Sequence, residues 1–288
     1  MANRPPSVPA GSPSPLPTAL AERSDRELLR LAIEAHLHQP AIALWRATEF
    51  AMLREVEFGA PVLDLGCGGG TVAGVVLHDH WPRDGLELLT SEARAARALG
   101  VYRGVIRSDA TRAPLVAGAY ATVFSQSVLE HIPDDRAAVR EAARALAPRG
   151  RLVFTVPSPA FAERIRHGPG GEAALQATND RLGHFHYRSL DEWAGLLAEC
   201  GLDIVGTGGH LPARTQRAWQ RLDALMTHRL GRRRILDIFR ALHRRRLVHR
   251  GAWIAAWTAM LWRPFRRPVD DPGGYLIVAQ APDGAAGP

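Results

Sequence analysis

Apolar residues near the start of the chain recur at helical spacing. Leu28, Leu29, Leu31, Ala32 and Leu37 form one stripe behind Ser24, which pairs with Glu27 as an S-x-x-E capping box. Pro40 breaks that helix, and Ala43, Leu44, Phe50 and Leu53 resume the period on a second one. From Pro61 the pattern changes to short apolar runs bounded by Gly, Pro and Asp. These predict strands at Val62–Leu65, Gly85–Leu89, Val101–Ile106, Ala121–Ser125, Arg151–Val156, Leu202–Val205 and Tyr275–Ala279. Helical stretches at Thr71–His78, Ser91–Leu99, Asp134–Leu146 and Asp191–Glu199 alternate with them. Such alternation predicts an α/β fold with a largely parallel sheet covered on both faces.

Between the last two strands the pattern turns helical again. Trp219, Leu222, Leu225, Met226 and Leu230 share one face, and Ile235, Ile238, Phe239 and Leu242 another. Ala252–Trp262 is apolar all round and contains Trp253, Trp257 and Trp262. Neighbouring antiparallel strands need only a short loop, so 211–268 reads as a helical insert. The expected plan is a disordered Pro/Ser-rich tail at 1–22, an N-terminal helical lid at 23–58, a sheet domain at 59–210 plus 269–282, and the insert.

Charge sharpens that plan. Of 288 residues none is Lys, and the 36 basic residues are all Arg. The insert holds fifteen of them against Asp223 and Asp237, a net +13 in a chain of net +7, which leaves −6 for the rest. A basic segment on an acidic body fits a helical cap over a substrate pocket or an element lying on an anionic membrane surface. Nucleic acid is disfavoured, because the aromatic residues cluster apart from the Arg runs. The two cysteines, Cys67 and Cys200, give neither a disulfide framework nor zinc-ligand spacing, and no metal is expected. No signal-peptide core and no run of roughly 18 apolar residues occurs, so the expected location is cytoplasmic, with peripheral contact at the inner membrane face open to the insert.

The chemistry centres on Val62-Leu63-Asp64-Leu65-Gly66-Cys67-Gly68-Gly69-Gly70-Thr71. Ligands of open parallel sheets bind beyond the carboxyl ends of the strands, where glycines let the backbone come close. Glu87, 21 residues after Gly66, stands where an acid can take ribose hydroxyls. A dinucleotide fingerprint would need a third glycine where this chain has Thr71, and Asp64 would repel a pyrophosphate. An acid there suits a cationic amino-acid moiety better.

Residues 62–157 resemble class I S-adenosylmethionine-dependent methyltransferases, especially the small-molecule, type 11-like subgroup. The resemblance implies a Rossmann-like sheet of seven strands with the last antiparallel, and S-adenosyl-L-methionine as cofactor. It implies that Asp64, Gly66, Cys67 and Gly68 cradle the aminocarboxypropyl chain and that Glu87 holds the ribose. Ser108-Asp109-Ala110 would meet the adenine, with Asp109 accepting from its amine. Ser125, Gln126 and Ser127, in Ser125-Gln126-Ser127-Val128-Leu129-Glu130-His131-Ile132-Pro133-Asp134, would lie beside the sulfonium. His131, and His184 or His186 in Gly183-His184-Phe185-His186-Tyr187-Arg188, are candidate bases for a hydroxyl acceptor. Each is also readable as a histidine that only hydrogen-bonds locally. Trp45, Arg46 and Glu49 stand where a lid would close, or where a plain helix would pack. The expected acceptor is a small or lipid-linked molecule methylated on oxygen, nitrogen or carbon. Two alternatives remain: a nicotinamide-dependent oxidoreductase, and a non-catalytic cofactor-binding protein at a membrane surface.

Overall fold

A computed structural model describes residues 20–231, 233–244, 249–265 and 271–284. Residues 1–19, most of the expected tail, lie outside the described residues. The first helix, α1 (Asp25–Ala35), starts where the capping box puts it: Ser24 N–H donates to Glu27 Oε2 at 2.8 Å, and Glu27 N–H to Ser24 Oγ at 3.4 Å. Pro40 occupies the first turn of α2 (Pro40–Leu53), where its missing N–H costs no intrahelical bond. This second helix is buried on nearly all sides, Glu49 included.

Seven strands follow: β1 (Val62–Leu65), β2 (Arg83–Glu87), β3 (Gly104–Arg107), β4 (Tyr120–Gln126), β5 (Leu146–Pro157), β6 (Asp203–His210) and β7 (Gly274–Gln280). They lie in the order β3-β2-β1-β4-β5-β7-β6, with β7 antiparallel to both neighbours and the remaining pairs parallel. This is the predicted seven-stranded α/β sheet, antiparallel at β7, with the helical insert between β6 and β7. Strand order reverses between β1 and β4, which opens a crevice at their carboxyl ends. The crossovers are short α3 (Ala73–Val76), α4 (Thr90–Leu99) and α5 (Asp135–Ala145). Beyond β5 come α6 (Pro159–Arg166), α7 (Gly171–Leu182) and α8 (Leu190–Glu199).

Several boundaries differ from the pattern, two of them for identifiable reasons. The second strand begins at Arg83 and ends at Glu87, because Leu88 and Leu89 are more than half exposed beyond the sheet. Buried Arg83 is tolerated there because its guanidinium donates to the carbonyls of Leu77, His78, His80 and Val101. The sixth strand extends through Gly206, Gly208 and Gly209, residues that disguise it in the sequence. Gly208 is where α2 crosses the strand, and a Cβ there would lie 2.3 Å from Met52 Cε. Two helices, α6 and α7, fall in a stretch whose apolar pattern predicts nothing.

The insert forms α9 (Ala213–Thr227), a small hairpin of Arg229–Leu230 with Arg233–Arg234, α10 (Ile235–Arg244) and α11 (Arg250–Trp262). It packs on the N-terminal helices, α9 against α2 and α11 against α1. The Trp219 ring stands 5.6 Å from Trp45 and 5.4 Å from Phe161, and Trp253 Nε1 donates to Leu37 O at 3.0 Å. One apolar core thus joins lid, insert and one sheet face, and a second fills the other face around Trp193 and Phe154. Among the described residues no helix is long and apolar enough to cross a membrane.

Trp219 is only 4% exposed and joins three elements. Trp219→Ala is expected to cost about 3–5 kcal/mol in urea unfolding, as for other large aromatic truncations in a core. A loss below about 1 kcal/mol would show that the insert does not brace the lid.

Candidate active site

The turn after β1 is a backbone device. Gly66 and Gly68 have φ of 76° and 51°, in the left-handed region that side chains with a Cβ avoid. At Gly66 a Cβ would also come within 2.5 Å of Val128, whereas at Gly68 it would project into open space. The amides of Gly66 and Cys67 donate to Leu86 O at 2.8 and 3.0 Å, pinning the turn to β2. Beneath it lies Asp64, which accepts from the Tyr102 hydroxyl at 2.6 Å. Burial pushes the Asp64 carboxyl up to about 7, against the Tyr102 hydrogen bond and the charge of Arg83.

Glu87, at the end of β2, is buried and accepts from Gly68 N–H at 2.9 Å and Leu89 N–H at 2.8 Å. Each of its oxygens keeps a second lone pair for a ligand. Asp109 caps the short turn Ala110–Arg112, accepting from Thr111 N–H and Oγ1, and these bonds hold its carboxyl below the usual range.

Gly66, Gly68, Glu87 and Asp109 border one cavity of about 680 Å³. Of the expected cofactor contacts, Gly66, Gly68, Glu87, Asp109, Ala110 and Ser127 line it, together with His131. Asp64, Cys67, Ser125 and Gln126 do not. The Cys67 side chain is buried under the turn, and burial beside Asp64 and Glu87 raises its thiol pKa, so it serves as filler. Ser125 is buried, and Gln126 spends its amide on Glu49 at 2.6 Å. A glycine floor open at Gly68, Glu87 and Asp109 among the four acids that line it, and apolar walls at Leu88, Leu89, Val128 and Ile132 fit a nucleoside bearing an amino-acid chain.

At the far end the sheet meets the lid through Glu49, which is fully buried. Its carboxylate accepts from Arg46 at 2.7 Å, Gln126 at 2.6 Å, Ser127 Oγ at 2.7 Å and Thr155 Oγ1 at 2.8 Å. Burial alone would raise its pKa, but the opposing charges and hydrogen bonds hold it down at about 2. Arg46 carries most of that effect, because buried His210 is itself driven down to about 4 and is neutral near pH 7. Ser127, at φ 50°, is kept in its unusual backbone state by Glu49, Arg46 and Thr155.

The three candidate histidines separate. His186 Nε2 lies 3.0 Å from the carbonyls of Ile132 and Pro133, so that nitrogen is a donor and is withdrawn from base chemistry. His131 and His184 stand together, ring centroids 4.9 Å apart. Burial lowers the pKa of both, His184 to about 3. Beside them is Glu130, 1% exposed and with neither carboxylate oxygen partnered; burial pushes its carboxyl up to about 8. The pattern of residues does not single out Glu130, and it offers Glu49 only as a lid or packing position, not as a hydrogen-bonding hub. The available signal for the latter was an Arg–Glu pair at i,i+3 inside an otherwise apolar helix.

Comparison with known proteins gives the geometry a context. Residues 36–207 match the model of a family described as a methyltransferase domain. The ubiquinone biosynthesis O-methyltransferase of Sodalis glossinidius (strain morsitans) is 33% identical over 103 residues, which cover 34% of this chain and 41% of that protein. That of Xanthomonas axonopodis pv. citri (strain 306) is 28% identical over 171 residues, covering 57% of this chain and 71% of the relative. This chain thus spans less than half of the length of the first relative. Among solved structures, phosphoethanolamine N-methyltransferase 2 of Haemonchus contortus, in complex with S-adenosyl-L-methionine, superposes with a TM-score of 0.55 at 16% identity, over 91% of this chain and 60% of that one. At that identity the likeness concerns the fold alone.

Glu49→Gln would strand Arg46 beside a neutral amide, and a loss of about 3 kcal/mol in urea unfolding is expected near pH 7. The carboxyl is held below its ordinary value of 4.5, so its contribution is full above that value and drains as the pH falls toward about 2. The gap between wild type and E49Q is therefore expected to narrow between about pH 5 and pH 3. A gap that stays constant over that range would mean the charge is not what stabilises.

Proposed function

The chain belongs to the methyltransferase-domain family, and from that premise we propose that it moves a methyl group from S-adenosylmethionine to an oxygen of a small or lipid-linked acceptor. One observation carries this reading: glycines after β1, an acid ending β2 and an acid following β3 converge on a single cavity whose far wall is Ser127 and His131. The names of the relatives, both O-methyltransferases, support oxygen over nitrogen or carbon. Neither the family match nor those names support the nicotinamide-dependent or the non-catalytic alternative.

In this reading Glu87 takes the ribose hydroxyls, Asp109 the adenine amine, and the Gly66–Gly68 turn the amino-acid chain. When bound, the cofactor supplies an already activated methyl group. The work left to the chain is alignment and exclusion of water. The Arg46–Glu49–Ser127 network does this by locking α2 over the end of β4. The insert acts as a cap that holds the lid: Trp219 and Trp257 are buried and Trp253 is bonded to Leu37 O, which leaves these rings turned inward rather than toward a bilayer.

Isothermal titration with S-adenosylhomocysteine tests the cofactor half. Glu87→Gln is expected to weaken binding roughly 10- to 100-fold, as for loss of hydrogen bonds to a charged group, and Asp109→Asn by less. Transfer of labelled methyl into lipid and small-molecule extracts tests the acceptor half. A folded wild-type protein with no affinity for the nucleoside would end the proposal.

A further inference from the structure

We propose that Glu130, His131 and His184 form a binding site for one divalent first-row transition metal ion at the acceptor end of the cavity. Glu130 lies in the short turn Leu129–His131 just after β4, and both of its carboxylate oxygens are buried without a hydrogen-bond donor. A buried carboxylate left bare is costly, and such groups are normally paired or ligated. Arg46, the nearby cation, is committed to Glu49 and Ser127, and Arg181 to Asp223 at 2.6 Å.

The two histidines are oriented as metal ligands are. His131 Nδ1 stands 3.1 Å from Gly183 O. A carbonyl only accepts, so Nδ1 carries the hydrogen and Nε2 presents a lone pair, 4.0 Å from Glu130 Oε1. His184 Nδ1 stands 3.0 Å from the Tyr187 hydroxyl, which donates its own proton to Asn179 Oδ1 at 2.6 Å. Nδ1 of His184 is therefore the donor in that contact, and its Nε2 is free as well. One ligand atom from each of the three residues lies within 4.8 Å of the other two. A backbone carbonyl on one imidazole and a Tyr–Asn pair on the other are the outer partners that fix ring and tautomer at metal centres.

Two nitrogens and one carboxylate select a borderline ion such as Zn²⁺, Fe²⁺ or Co²⁺ over Mg²⁺ or Ca²⁺, which favour oxygen ligands. Tetrahedral bonds of about 2.0–2.1 Å place ligand atoms roughly 3.4 Å apart, so atoms now within 4.8 Å of one another close by at most roughly 1.4 Å, shared between two side chains. Three protein ligands leave a position open, and His131 borders the cavity. An acceptor oxygen bound there would be acidified by the ion; that use, unlike the site itself, rests on the O-methylation reading.

The test uses untagged full-length protein, stripped with chelator and titrated with Co²⁺. Wild type is expected to bind one equivalent, with visible d–d absorption that Zn²⁺ displaces. Glu130→Gln and His184→Gln, checked for fold by circular dichroism, are each expected to weaken binding at least tenfold. Tyr187→Phe, which removes only an outer partner, should weaken it roughly 10- to 100-fold. Absence of saturable absorption in folded wild type overturns the proposal. So does absorption retained in the E130Q/H184Q double variant, which would place the ion elsewhere, as at His78 and Asp79. Binding of S-adenosylhomocysteine to the wild type, measured separately, distinguishes failure of the metal site from failure of the cofactor reading.

Discussion

The buried carboxylate of Glu49 is the constraint on which the rest of the site depends. It gathers donors from α2, from the end of β4, from the residue after it and from β5. A lone charge at that depth would be untenable; with four donors it becomes a rivet. The lid helix is thereby fixed in register against the strand ends, and Ser127 is held in a backbone state that would otherwise relax. Glycines build the floor of the crevice, and this one acid reaches its wall only through Ser127.

That division explains what the sequence reveals. The crevice beyond β1, β2 and β3 is made of backbone geometry and of acids placed one strand apart, so Gly66, Gly68, Glu87 and Asp109 are readable from spacing and from family resemblance. Strand identities follow from apolar runs, and the insert from its sudden helical period. Residues that face solvent or ligand were legible, whereas those that serve from beneath were not. Asp64 and Cys67 sit in the most recognisable stretch yet point away from the cavity, toward Tyr102 and the interior. A motif records which residues share a turn, not which way each side chain leaves it.

The region around Glu49, Glu130 and His184 is assembled from distant parts: α2, the turn after β4, and the segment that follows α7. Glu130 and His184 are brought together by tertiary folding alone, and no spacing rule relates them. The glycine-rich β6 illustrates the same limit. Its glycines fall beyond the predicted end of the strand, and at Gly208 the missing Cβ leaves room for Met52. Where two elements press closely, the residue that permits contact carries the least local signal.

The docking of the insert on the lid has a consequence for how the molecule is made. Helices α1 and α2 emerge early in synthesis, but their partners α9 and α11 belong to the far end of the chain. Until those arrive, Leu44, Trp45 and their apolar neighbours have only part of their burial. A nascent chain with such a face uncovered is open to trapping and association until the insert arrives.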